Sequence, residues 1–130
     1  MKTIQSVSQK EEQKTPDTAS LITIKSSPLL MSPQKMKVVV ESIRYQKLDY
    51  LLDTLPFLPS KGGGLVLELL QKEVKYWEKK GLSPSDFYVR KIQTNQGRTY
   101  KKIMFRAKGR ADRILRRTSL VEIELSKNKF

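Results

Sequence analysis

Residues 90–117 read RKIQTNQGRTYKKIMFRAKGRADRILRR. Eleven basic residues (Arg90, Lys91, Arg98, Lys101, Lys102, Arg106, Lys108, Arg110, Arg113, Arg116 and Arg117) stand against one acid, Asp112, a net charge of +10 over 28 residues. The 130-residue chain carries +13 in all, so everything outside this stretch sums to only +3. Tyr100, Ile103, Met104, Phe105, Ile114 and Leu115 are threaded between the cations. Interleaving of this kind suits a surface that holds phosphates and packs on bases or sugars. Seven of the chain's eight Arg fall here, whereas elsewhere Lys supplies the positive charge. Arginine is the residue whose planar fork binds phosphate through two donors and also stacks.

The flanks decide the geometry of the stretch. Phe87 to Thr94 is rich in β-branched and aromatic residues and reads as a strand, interrupted at Asn95-Gln96-Gly97 as if by a bulge. Leu120 to Leu125 alternates, with Val121, Ile123 and Leu125 facing one way and Glu122 and Glu124 the other, the pattern of a half-buried antiparallel strand. Two such strands joined by about residues 98–119 predict a hairpin arm that turns near Lys108-Gly109, where glycine supplies a positive φ. At about 3.3 Å per residue, ten residues a side reach roughly 30 Å. Tyr100, Lys102, Met104 and Arg106 lie on one face of the arm and Lys101, Ile103 and Phe105 on the other. No core absorbs both, so the arm is expected to be ordered by a polyanion packed around it. A solvated charged loop, the alternative, has no use for Ile103, Met104 and Phe105.

Further out, composition limits the possible functions. Hydrophobic residues are 38% and charged residues 30%, enough for one modest domain with more charge than solubility needs. Without Cys or His, disulfides, Cys/His zinc sites and histidine acid–base chemistry are excluded. An enzyme would need Asp112 with Lys108 or Lys101 as its reactive pair, and an isolated Asp among Arg residues is more often their charge partner. The expectation is therefore a non-enzyme that needs no cofactor. No apolar run is long enough to span a bilayer, and no membrane partner is expected.

Residues 1–19 are polar and aperiodic, an extension expected to be disordered or loosely attached. Glu11, Glu12 and Asp17 argue against an organellar transit peptide, and the start at Met1 reads as uncleaved. Ser20 to Ser26 is a short strand. Ser32-Pro33 opens a helix whose apolar stripe is Met36, Val39, Val40 and Ile43, running to about Arg44 with Lys35, Lys37 and Glu41 outside the stripe. Leu48, Leu51, Leu52 and Leu55 define a second helix stopped by Pro56 and Pro59. Following Lys61-Gly62-Gly63-Gly64, Val66, Leu69, Leu70, Val74 and Trp77 define a third that ends at Lys79-Lys80-Gly81. These stripes read as core packing. Residues 20–126 form the single domain, and 127–130 a tail.

The run Arg106-Ala107-Lys108-Gly109-Arg110-Ala111-Asp112-Arg113-Ile114-Leu115-Arg116-Arg117-Thr118-Ser119, preceded by Lys101-Lys102-Ile103-Met104, resembles the signature of the bacterial-type ribosomal protein family twenty-two of the large subunit. Ser32 to Val39 with Ile43-Arg44 is similar to the start of that family's first helix. The resemblance covers about residues 20–126. It implies an α+β fold in which three helices pack on a small three-stranded antiparallel sheet, with a long protruding β-hairpin that enters 23S-type RNA and reaches the wall of the nascent-peptide exit tunnel. By the same resemblance Lys108, Gly109 and Arg110 are the tip, while Arg98, Lys101, Lys102, Arg106, Arg113, Arg116 and Arg117 contact RNA along the shaft. Lys35, Lys37 and Arg44 are further candidates on the body. Four positions depart from the family pattern: Phe105 replaces its usual Pro, Tyr45 its Gly, Lys75-Tyr76-Trp77 a small-polar-small segment, and Gly62-Gly63-Gly64 an Ala-containing helix start.

The function expected is a structural constituent of the large subunit that organises rRNA during assembly, next to neighbouring ribosomal proteins and the nascent polypeptide. An RNA-binding chaperone acting off the ribosome is the alternative. Heavy use of Lys, with Asn128, Lys129 and many Ile and Leu, fits an A+T-rich coding bias and points to a plastid ribosome, with the bacterial cytoplasm or a mitochondrion as alternatives.

Overall fold

The computed structural model describes residues 21–127. The expectations for residues 1–19, for Ser20 and for the last three residues of the tail lie outside them. The chain forms β1 (Leu21–Lys25), α1 (Pro33–Ile43), α2 (Leu48–Thr54), α3 (Lys61–Glu78), β2 (Tyr88–Gln96), β3 (Tyr100–Phe105), β4 (Ala111–Arg116) and β5 (Ser119–Ser126). This is the expected α+β arrangement of three helices, a three-stranded antiparallel sheet and a hairpin.

The strand order is β1-β5-β2, so the alternating strand is the central one. Its inward residues Val121, Ile123 and Leu125 are completely buried. On the outer face Glu122 pairs with Lys25 at 2.9 Å and Glu124 lies 4.0 Å from Lys91, each across from its strand neighbour. The helices cover the inner face. All four stripe residues of α1 (Met36, Val39, Val40, Ile43) are buried, as are Leu48, Leu51 and Leu55, then Val66, Leu70, Val74 and Trp77. Trp77 closes the far side against Phe87, with ring centroids 5.3 Å apart at 43°. Side chains buried in this way contribute about 1.5–3 kcal/mol each. The core draws on every helix and on β1, β2 and β5, and on nothing between Gly97 and Arg117.

Two boundaries differ from the sequence expectation. The third helix starts at Lys61 and includes all three glycines, because Ser60 Oγ accepts the Gly63 N–H at 3.1 Å and caps it. Gly62 lets this end approach α1, since a Cβ there would lie 2.9 Å from Val39 Cγ2. Strand β2 is not interrupted at Asn95-Gln96, which pair with Leu120 and Ser119; its irregularity lies earlier, between Val89 and Lys91.

Tyr45, which follows α1, has φ 60°. That is the left-handed region where glycine is at ease, which accounts for the glycine of the resembled family. Its backbone N–H donates to Val89 O at 3.1 Å, and Val89 N–H returns to Gln46 O at 3.0 Å, fixing the α1–α2 connection to β2.

Candidate nucleic-acid interface

Strands β3 and β4 form a separate two-stranded ribbon, in register from Tyr100 opposite Arg116 to Phe105 opposite Ala111. Six paired residues a side span about 20 Å, and the neck and tip supply the rest of the arm. Every residue from Tyr100 to Arg117 is exposed. One face presents Tyr100, Lys102 and Met104 across from Arg116, Ile114 and Asp112, and the other presents Lys101, Ile103 and Phe105 across from Leu115, Arg113 and Ala111. Apolar and charged residues alternate on both, so neither face has an apolar stripe to bury.

The neck is where body and arm meet. Between the last body pair, Gln96 opposite Ser119, and the first arm pair, Tyr100 opposite Arg116, three residues stand on the outgoing side and two on the return. The extra residue shifts the register by one, as a bulge does, which aims the arm independently of the sheet. Gly97 N–H donates to Thr118 O at 2.9 Å, and the fully buried Thr118 hydroxyl donates to Arg98 O at 2.6 Å. On the other side, Leu29 and Ser119 exchange N–H···O bonds of 2.8 and 3.0 Å.

A Cβ on Gly97 would fall 2.5 Å from Thr118 Oγ1 and 3.3 Å from the Thr118 carbonyl. Gly97→Ala is therefore expected to displace the Thr118 hydroxyl and destabilise the protein by about 1–3 kcal/mol, read as a lower urea midpoint at constant slope. An unchanged midpoint would show that the neck is not tightly packed.

At the tip, Arg106 N–H donates to Arg110 O at 2.8 Å, and two successive residues, Lys108 (φ 59°, ψ 34°) and Gly109 (φ 71°), are left-handed. Arg106 Nε donates to Asp112 Oδ2 at 2.7 Å. Both side chains are more than half exposed, so the pair adds little stability. What it does is hold Arg106 back along the shaft and leave Lys108 and Arg110 as the cations at the tip. It also gives the one carboxylate of the arm a charge partner. At the neck the Arg98 guanidinium lies 5.8 Å from the centre of the Tyr100 ring.

The structure divides the remaining candidates. A groove between the body and the base of the arm is lined by Leu30, Met31, Ser32, Lys35, Lys61, Leu115, Arg116 and Arg117. Lys35 thus joins the arm's cations, together with Lys61, which periodicity could not single out because its neighbours there come from distant segments. Lys37 is exposed on α1 and lines no part of this groove. Arg44, at the far end of α1, directs Nη2 to Ile92 O at 3.5 Å. Arg90 is exposed at the irregularity in β2, and Lys91 faces Glu124. Away from the interface, Lys72 hydrogen-bonds Glu68 and holds its carboxyl below the usual range.

Phe105 fits this ladder. Because Arg106 and Arg110 are hydrogen-bonded across the ribbon, the adjacent pair Phe105 and Ala111 is the non-hydrogen-bonded kind, with its N–H groups pointing outward. A proline here, as in the resembled family, removes no ladder bond.

The sequence profile of Ribosomal protein L22p/L17e matches residues 24–126, a span that holds the helices, the arm and the sheet from Ile24 of β1 onward. The large ribosomal subunit protein uL22 of Desulfosudis oleivorans is 37% identical over 98 residues, covering 75% of this chain and 86% of that protein. A match over most of the chain, together with a relative of this identity and coverage, shows that the chain belongs to the ribosomal protein L22p/L17e family.

Proposed function

We propose that this protein, a structural component of the large ribosomal subunit, inserts its arm into 23S-type rRNA and holds RNA segments in fixed relative positions during and after assembly. The observation that carries this reading is the ribbon itself. From Arg98 to Arg117 it bears nine cations and one acid, the acid is paired within the arm, and the core takes nothing from it. A surface like this is stable in the folded chain only if water or a polyanion solvates it. Arginine forks bind phosphates through two donors, the apolar residues between them pack on sugars and bases, and the binding releases counterions. Lys35 and Lys61 extend the phosphate track from Arg116 and Arg117 onto the body.

In this reading the tip residues Lys108, Gly109 and Arg110 reach the wall of the nascent-peptide exit tunnel and pass close to the growing polypeptide, and the body meets neighbouring subunit proteins. The ribosome is of the plastid type on the strength of the Lys-rich composition, while the bacterial source of the relative favours a bacterial ribosome as the second reading. Cleavage of rRNA from a probe tethered at Lys108 tests the arm's position, and co-sedimentation with large-subunit particles at low salt separates this function from that of a chaperone acting off the ribosome.

A further inference from the structure

Phe105 is 86% exposed and Ile103, on the same face, is 60% exposed. Among the described residues nothing covers this ring, which stands within a run of cations. Its cross-strand neighbour is Ala111, whose methyl group is too small to cover a ring. The next pairs down this face are Ile103 with Arg113 and Lys101 with Leu115. The other face at the same level is taken up by Met104 and the Arg106–Asp112 ion pair. The end of the arm is thus two-sided, with an ion pair on one face and a bare aromatic ring on the other, followed by cations toward the neck.

We propose that Phe105, with Ile103 as its shoulder, is a stacking platform for an unpaired nucleobase of the rRNA, with Arg113 and Lys101 taking the adjoining phosphates. This rests on the RNA-binding reading of the arm and goes beyond it, since it assigns one residue a ligand, an unpaired base. Charge favours a nucleotide over a polypeptide on this face. An apolar peptide segment lying on Phe105 and Ile103 would strip water from Arg113 and Lys101 without returning a counter-charge, whereas a nucleotide brings base and phosphate together. The outward N–H of Phe105 is a further donor for a sugar or phosphate oxygen, which proline also lacks. Stacking on an aromatic ring tolerates any base, so the platform selects an unpaired nucleotide and not a sequence.

The test uses the full-length protein and in vitro transcribed large-subunit rRNA. F105W keeps a ring and reports stacking through its emission, against the wild type, whose single Trp77 is buried and supplies the background. F105W is expected to bind as tightly as wild type and to lose more than half of its added emission when rRNA saturates it. F105A and F105P are expected to bind roughly five- to a hundredfold more weakly with an unchanged salt slope, because neither removes a cation. Wild-type affinity in F105A, or unaltered emission in F105W on bound rRNA, overturns the platform and leaves the basic arm standing as an RNA-binding element. In assembled particles, Phe105→benzoylphenylalanine that crosslinks to protein and not to rRNA also overturns it. If the wild type itself binds rRNA without a salt slope, the RNA reading of the arm falls and the platform falls with it.

Discussion

Deleting Tyr100 to Leu115 and joining Thr99 to Arg116 is expected to weaken binding to large-subunit rRNA by roughly a thousandfold or more near 0.1 M salt, while the body still folds. The geometry favours this cut. Tyr100 and Arg116 stand opposite each other at the start of the ribbon, so the join leaves a six-residue loop between Gln96 and Ser119. The deletion takes away Lys101, Lys102, Arg106, Lys108, Arg110 and Arg113 and spares every buried residue of the core. The neck contact from Gly97 N–H to Thr118 O lies on the body side of the cut. Shortening the loop reduces its closure entropy, so stability should stay level or rise by about 1 kcal/mol. Urea unfolding followed through Trp77, packed on Phe87, measures this. A shortened chain with no cooperative transition would mean that the arm helps to hold the body together.

Salt dependence is the second large effect. If seven or so of the arm's cations meet phosphates, affinity should fall by about three to four orders of magnitude between 50 and 200 mM monovalent salt. Single changes should alter the slope in proportion to phosphate contact. Arg113→Gln or Lys102→Gln is expected to lower it by about one, whereas Lys91→Gln, whose partner is Glu124, and Arg44→Gln, whose guanidinium leans on the sheet, should leave it nearly unchanged. A slope near zero for the whole protein, measured by filter binding across that range, would contradict an electrostatic interface.

Periodicity made most of the fold legible. The i, i+3, i+4, i+7 stripe of α1 and the strict alternation in β5 each named their buried residues correctly, because burial on one face leaves its spacing in the sequence. The charge anomaly located the arm, and alternation assigned its two faces. What was not legible depends on distant segments. The continuation of β2 through Gln96 is set by its pairing with Ser119, and the one-residue excess at the neck becomes visible only once both strand ends are known. That the three glycines belong to α3 follows from the Ser60 cap and from the approach of Gly62 to Val39, neither of which the apolar stripe shows. In the site, the pattern could not distinguish Lys35, which the fold brings to Arg116 and Arg117, from Lys37, which it does not. Nor could it find that Lys91 faces Glu124, or that the N–H of Phe105 points out of the ladder.

The claim on which the rest depends is that the tip of the arm lies inside folded rRNA, and the chain's lack of cysteine gives direct access to it. K108C carries a single thiol at the left-handed tip, and V38C one on the outward face of α1, where Val38 is 70% exposed. Each is loaded with a tethered iron chelate, assembled into large-subunit particles and triggered to generate hydroxyl radicals. The account predicts strong, discrete rRNA cleavage from K108C at sites that V38C does not reach. Particles that contain the K108C protein yet show no rRNA cleavage from the tip would contradict it.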